Sequence, residues 1–305
     1  MQTKHIITAL YFRIFVWPLV LVKQFYELLL IHDAVTMQLM RITLGKIFLN
    51  KGVALPIYEL IEKYSRNGNR LQFTGFSMPL MGADEDKKLF FHEFSKLVAP
   101  YDEFWKKYKW GIIAFFGSEG GYEAGEVKFG SGDVIIDAGA NVGIFSASAS
   151  RTGARVYAFE PIPEAYAYLE QAARLNAGIE PVCKALGSEK GILRFAYSPN
   201  KELAASSCVL DLNSDDYIEV QATSLDEWAE ENGIRKIDFL KADIEGAERF
   251  MLQGARRVLK KMAPKLSICI YHLPDDKEVL TKLVLEANSD YVLSYNKHKM
   301  FGYVK

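Results

Sequence analysis

An α/β fold built around a mostly parallel sheet is predicted by three observations. From about residue 111 onward, short β-rich runs alternate with helical ones. A glycine turn, Asp137-Ala138-Gly139-Ala140-Asn141-Val142-Gly143, joins the first apolar run to a helix-like segment. A second acid, Glu160, closes the next apolar run. Alternation of this kind sets successive strands parallel, with helices on both faces of the sheet.

Strands are expected at 134–137, 154–160, 179–184, 236–242 and 265–272, and helices near 142–151, 163–176, 246–260 and 275–287. The insert 191–223 carries alternating segments, Ile192–Phe195 and Tyr217–Val220, that suit extra edge strands or a hairpin near the strand tips. The tail, 290–305, suits two final strands, the last antiparallel. Ser224-Leu225-Asp226-Glu227 has the capping-box spacing, so Asp226 reads as structural.

Residues 1–110 lack strand alternation and read as a helical extension or cap; residues 111–305 form the main domain. Apolar residues recur at helical spacing in 57–64 and 89–98. Asp84-Glu85-Asp86 suit the first turn of the second helix, and Pro100 stops it. Gly68, Gly75 and Gly82 read as loop punctuation between the two helices.

Residues 6–22 are almost all apolar. A spanning helix needs about 20 such residues. Arg13 falls near the middle, where a charge costs roughly 2.5–3.5 kcal/mol, and Pro18 breaks the helical ladder. Two readings stand for 6–31: a helix buried against its own domain, or peripheral contact with a membrane interface. The expected location is cytoplasmic, either free or at the inner face of a membrane.

The chain has 305 residues, half of them hydrophobic, with 37 Lys and Arg against 38 Asp and Glu. The balance leaves no basic excess for nucleic acid. Cys183, Cys208 and Cys269 are far apart, with no CxxC spacing. They read as buried thiols, neither zinc ligands nor a disulfide framework.

Ligands of open α/β sheets bind beyond the carboxyl ends of the strands. Asp137 stands at such an end. Gly139 permits positive φ and a close approach to the backbone, and Gly143 permits close packing of the helix. A carboxylate at Glu160 can accept both hydroxyls of a ribose. A dinucleotide loop reads G-x-G-x-x-G, with pyrophosphate against the helix start. Here an acid precedes the first glycine, which repels pyrophosphate and suits a ligand carrying an ammonium group. S-adenosyl-L-methionine is the expected cofactor, and methyl transfer the expected chemistry.

A second constellation, Lys241-Ala242-Asp243-Ile244-Glu245-Gly246-Ala247-Glu248, closes the fourth parallel strand. His272 follows the fifth. Methyl transfer asks the protein to align a nucleophile, exclude water and receive a proton. His272 is a candidate general base, with Asp243 as an alternative base or orienting group. Lys241 has the option of pairing with a neighbouring carboxylate, and Glu248 reads as a first-turn helix acid. A metal on Asp243 and Glu245 lacks an evident third ligand, so none is expected.

The segments Gly132–Gly143, Ala158-Phe159-Glu160-Pro161, Thr223–Asp226 and Asp238–Glu248 together resemble the FkbM-type methyltransferases, over about residues 125–290. Ile268–His272 followed by Pro274 is similar to many members as well. The resemblance implies a class I, Rossmann-like S-adenosylmethionine fold that O-methylates sugars, polyketides or other small hydroxylated molecules. Candidate cofactor residues are then Asp137, Gly139, Ala140, Asn141, Gly143, Glu160 and Pro161. Asp243, Glu245 and His272 are the candidate catalytic residues. Lys184–Gly187 lacks the acid often used to hold adenine, which leaves that contact to backbone. The expected acceptor is a hydroxyl on a small molecule, sugar or lipid-linked glycan. The alternatives are N- or protein methylation, or a non-catalytic, membrane-associated scaffold.

Overall fold

The computed structural model describes residues 33–49, 54–99, 101–108, 121–196 and 217–305. The apolar segment 6–31, Cys208 and most of the insert lie outside the described residues. No described helix is long and apolar enough to cross a membrane.

The N-terminal region opens with helices α1 (Ala34–Leu49) and α2 (Ala54–Ser65). It then departs from the all-helical expectation. Strands β1 (Arg66–Asn67), β2 (Arg70–Phe73) and β3 (Phe76–Pro79) form an antiparallel meander where the sequence suggested a loop. Gly68 and Gly75, read as loop punctuation, sit at φ 63° and 85° in the two tight turns between these strands. Strands this short carry too few residues to show a period of two. Helix α3 (Asp84–Leu97) follows, with its three acids in the first turn as expected. Its Phe90, Phe91 and Phe94 are fully buried.

The main sheet contains β4 (Val134–Ala138), β5 (Arg155–Phe159), β6 (Ile179–Val182), β10 (Phe239–Ala242), β11 (Lys265–Cys269), β12 (Tyr291–Tyr295) and β13 (Lys299–Val304). Their order is β12-β13-β11-β10-β4-β5-β6. Only β13 is antiparallel to its neighbours, β11 and β12. The chain leaves β4 toward β5 on one side and returns to β10 on the other, so β4 is the topological switch point.

Helices α4 (Ile144–Ser150) and α5 (Pro163–Leu175) cover one face. The other face carries α6 (Leu225–Glu231), α7 (Glu248–Gln253), α8 (Arg256–Lys261) and α9 (Asp276–Ala287). The single helix expected over 246–260 is two short ones. Gly254 stands between them, where a side chain would meet the Gly187 carbonyl oxygen at 2.1 Å. A second sheet, β7 (Ala185–Gly187), β9 (Tyr217–Ser224) and β8 (Gly191–Ala196), realises the extra strands expected of the insert. Ser224 Oγ accepts the Glu227 N–H at 3.2 Å to cap α6. Asp226 accepts the N–H groups of Arg257 and Val258 at 2.8 Å each, holding the start of α8.

The N-terminal elements share one hydrophobic core with the sheet, running from Tyr58, Phe90 and Phe94 to Ile135, Phe145 and Phe239. Polar contacts reinforce the join. Asn176 accepts the Ser77 N–H at 2.8 Å and donates back to the Ser77 carbonyl at 2.6 Å. Tyr168 donates to Asp86 at 2.7 Å and accepts the Gly82 N–H at 3.0 Å. Cys269 is buried as expected, whereas Cys183, just past the end of the edge strand β6, is exposed.

Candidate functional site

A cavity of about 270 Å³ opens at the carboxyl ends of β4, β5 and β10. Gly139, Ala140, Asn141, Glu160 and Pro161 line one part of it, and Asp243, Glu245 and Tyr271 another. Lys184, Ala185 and Leu186 add backbone and apolar wall. Helix α3 supplies Leu89, His92, Glu93, Ser95 and Lys96, so the N-terminal region builds part of the same cavity. Helical periodicity could find the buried face of α3. It could not show which sheet end that helix would cover.

The turn after β4 is fixed from both sides. The Gly139 and Ala140 N–H groups donate to the Phe159 carbonyl at 3.1 and 2.9 Å. Gly139 has φ 74°, and a Cβ there would lie 2.1 Å from the Asp243 carbonyl oxygen. Both facts demand glycine. The close neighbour is the backbone after β10. Asn141, also left-handed at φ 51°, donates its N–H to Glu160 Oε2 at 2.9 Å. Its side-chain Oδ1 is buried with no hydrogen-bond partner. Gly143 was expected to line the cofactor pocket by closing a helix onto its strand. Instead it caps α4 at φ 90° and packs against Leu169 and Ala172 of α5, away from the cavity lining.

Glu160 is 6% exposed. Its Oε1 accepts the Ile162 N–H at 2.9 Å, completing a two-point backbone grip. Burial pushes its carboxyl up to about 7, against the pull of those N–H groups and of Lys241. Each oxygen keeps a lone pair for a further donor.

Asp137 was expected to face the ligand directly. It is fully buried and does not line the cavity. Its Oδ1 lies 2.9 Å from Lys241 Nζ, and its Oδ2 accepts from Ser146 Oγ at 2.6 Å. Parallel pairing of β4 with β10 sets Asp137 level with Lys241, so the acid is spent on that ammonium. Lys241 also donates to the Gly139 carbonyl at 2.6 Å, which ties the glycine turn to the same cation.

At the other end, Asp243 Oδ2 accepts from Tyr122 Oη at 2.6 Å, and Oδ1 accepts from Tyr271 Oη at 3.3 Å. Burial opposes its charge. His272, Lys241, Lys96 and Tyr122 outweigh that and hold its carboxyl well below the usual carboxylate range. Tyr122 is a residue the sequence reading missed, because a lone tyrosine ahead of β4 carries no local signal. Its ring lies between two lysines, with Lys299 Nζ 4.6 Å and Lys241 Nζ 5.3 Å from the centroid.

His272 differs most from its expected role. Its side chain is 4% exposed and does not line the cavity. Nδ1 lies 3.1 Å from Glu248 Oε1, and Nε2 lies 3.4 Å from Asp243 Oδ1 and 3.7 Å from Glu245 Oε2. Burial disfavours its charge, but the Asp243 and Glu248 carboxylates overcome this and push it up to about 10. An imidazole that keeps its proton at neutral pH cannot serve as a general base. Glu248 accepts the Ile244 and Gly246 N–H groups at 2.8 and 3.0 Å, more than the plain first-turn acid the sequence suggested. Beside Asp243 and Glu245, where the sequence offered no third donor, the fold brings His272.

Residues 137–293, just over half the chain, match the family model described as the methyltransferase FkbM domain. The chain is 30% identical over 156 residues to the hexuronic acid methyltransferase AglP of Haloferax volcanii, a match covering 51% of this chain and 62% of that protein. It is 30% identical over 160 residues to the 31-O-demethyl-FK506 methyltransferase FkbM of Streptomyces tacrolimicus, covering 42% and 61%. Among solved structures, methyltransferase FkbM from Methylobacillus flagellatus KT superposes with a TM-score of 0.47 at 17% identity, covering 89% of this chain and 62% of that one. The chain thus spans about three fifths of the length of the curated relatives it matches.

Proposed function

The chain belongs to the methyltransferase FkbM domain family, and from that premise we propose that it is an S-adenosyl-L-methionine-dependent O-methyltransferase acting on a hydroxyl of a sugar or other small hydroxylated molecule. The observation that carries this reading is Glu160, a buried carboxylate on the cavity wall, gripped by two backbone N–H groups and still able to accept two hydroxyls. The residues fit the cofactor on independent grounds. Asn141 Oδ1 is a buried acceptor without a partner, and Gly139 leaves the turn bare of a side chain.

When bound, the cofactor supplies a methyl group already activated by a sulfonium. Glu160 would accept the ribose hydroxyls and Asn141 Oδ1 a neighbouring donor. The wall at Lys184, Ala185 and Leu186 provides backbone and apolar surface for the adenine. Asp137 acts at one remove, by holding the Lys241 ammonium that donates to the glycine turn. At the acceptor end, Asp243 is a permanently ionised carboxylate. It orients the incoming hydroxyl by accepting its hydrogen bond. A carboxylate this acidic is a poor base toward a free alcohol. It suffices once the oxygen has gained its methyl group and become strongly acidic, so the proton leaves late.

Helix α3 lines the same cavity with His92, Glu93 and Lys96, the last two paired at 3.3 Å, and such polar groups suit a polyhydroxylated ring. AglP acts on a hexuronic acid by its name, which is compatible with such a wall. The direct assay offers isotopically methyl-labelled cofactor and a panel of sugar and polyol acceptors, reading product mass. A labelled mass gain of one methylene is expected; label only on amines or protein would replace this reading with N- or protein methylation.

A further inference from the structure

Asp243 follows β10 directly, Glu245 lies in the turn after it, and His272 follows β11. One donor atom from each lies within 4.8 Å of the others. The His272 side chain is buried, and its ring nitrogens stand within ion-pair distance of carboxylates without meeting hydrogen-bond geometry. Its Nε2 is aimed at the gap between Asp243 Oδ1 at 3.4 Å and Glu245 Oε2 at 3.7 Å. A buried polar atom left this way calls for a partner.

The opposite side of the ring is held for the same purpose. Nδ1 faces Glu248 Oε1 at 3.1 Å, and two backbone N–H groups fix Glu248 in turn. A carboxylate behind an imidazole is the arrangement that orients a metal-bound histidine and raises its basicity. Asp243, Glu245 and Glu248 place three carboxylates around one ring, an excess of negative charge that a divalent cation offsets. Asp243 and Glu245 line the cavity, so the cation's remaining positions would face the acceptor.

We propose that Asp243, Glu245 and His272 form a binding site for a divalent cation, with Glu248 orienting the histidine. Two carboxylates and one imidazole suit Mn²⁺ or Mg²⁺ with open positions left for oxygen ligands. Cation binding needs only these residues, with the cation displacing the proton that His272 otherwise holds. Its use, polarising the acceptor hydroxyl as a Lewis acid, rests on the methyltransferase reading.

The test titrates Mn²⁺ into the full chain after chelator treatment, following the free-ion electron paramagnetic resonance signal. One Mn²⁺ per chain is expected, with at least tenfold weaker binding in Glu245→Gln and Asp243→Asn and unchanged binding in the distant Glu286→Gln. Mg²⁺ should compete for the same site. S-adenosylhomocysteine is titrated into each sample by calorimetry, which shows that the variants are folded and reads the cofactor assignment separately. No Mn²⁺ uptake by the wild type, or uptake untouched by Glu245→Gln, overturns the cation site while leaving the cofactor reading to its own titration.

Discussion

Asp137 and Lys241 are level with each other on the paired strands β4 and β10, with Oδ1 and Nζ 2.9 Å apart and both side chains essentially sealed from solvent. The pair joins the two halves of the sheet at its switch point. It also anchors the glycine turn, because the same ammonium donates to the Gly139 carbonyl. Removing one partner leaves an uncompensated buried charge, which costs about 3–5 kcal/mol. Lys241→Met should therefore lower unfolding stability by about that amount. The double variant Lys241→Met with Asp137→Asn should recover much of it. Denaturant melts of the three proteins check this; a double variant no more stable than the single would contradict the pairing.

Glu160 predicts a pH dependence of cofactor affinity. Its carboxyl, usually near 4.5, stands at about 7 in the ligand-free protein. A group with a raised folded value binds more protons folded than unfolded, so stability falls as pH rises from about 4.5 to about 7. Ribose hydroxyls donate to the charged form, which reverses the preference on binding. Affinity for S-adenosylhomocysteine should thus be constant above about pH 7 and weaken roughly tenfold per unit below it. Calorimetry at several pH values on wild type and Glu160→Gln checks the slope, which the variant should lose.

Tyr122→Phe removes the 2.6 Å hydrogen bond to Asp243 and keeps the ring between Lys241 and Lys299. A hydrogen bond to a charged group contributes about 1.5–3 kcal/mol. Turnover should fall roughly tenfold or more, with cofactor affinity unchanged. Equal losses in both would place Tyr122 in the cofactor pocket instead.

Gly254→Ala tests the packing at the break between α7 and α8. The added Cβ would meet the Gly187 carbonyl at 2.1 Å and Ser224 Cβ at 2.8 Å. Overpacking against backbone should cost about 3 kcal/mol in a denaturant melt. A neutral result would mean that the second sheet yields easily.

The parallel sheet and the turn at Gly139 were legible in the sequence because each is encoded locally. Alternating apolar runs mark strands, and an acid–glycine cluster marks a strand tip. The roles of Asp137 and His272 were not legible. Those roles depend on which cation or carboxylate stands on the next strand, a matter of sheet order and register. Lys241 Nζ reaches the Ala138 carbonyl across 103 positions of chain, one strand away in space. The contribution of α3 to the cavity and the place of Tyr122 against Asp243 were hidden for the same reason. Their partners lie far along the chain, with no spacing to signal them.

The central claim is that Glu160 holds the sugar of a sulfonium nucleoside. Calorimetry of S-adenosyl-L-methionine with wild type and Glu160→Ala tests it most directly, with Glu286→Gln as an exposed control. Stoichiometric binding by wild type and control, weakened at least tenfold in Glu160→Ala, is the predicted result. No binding to the wild type, or equal binding to the folded Glu160→Ala protein, would contradict it.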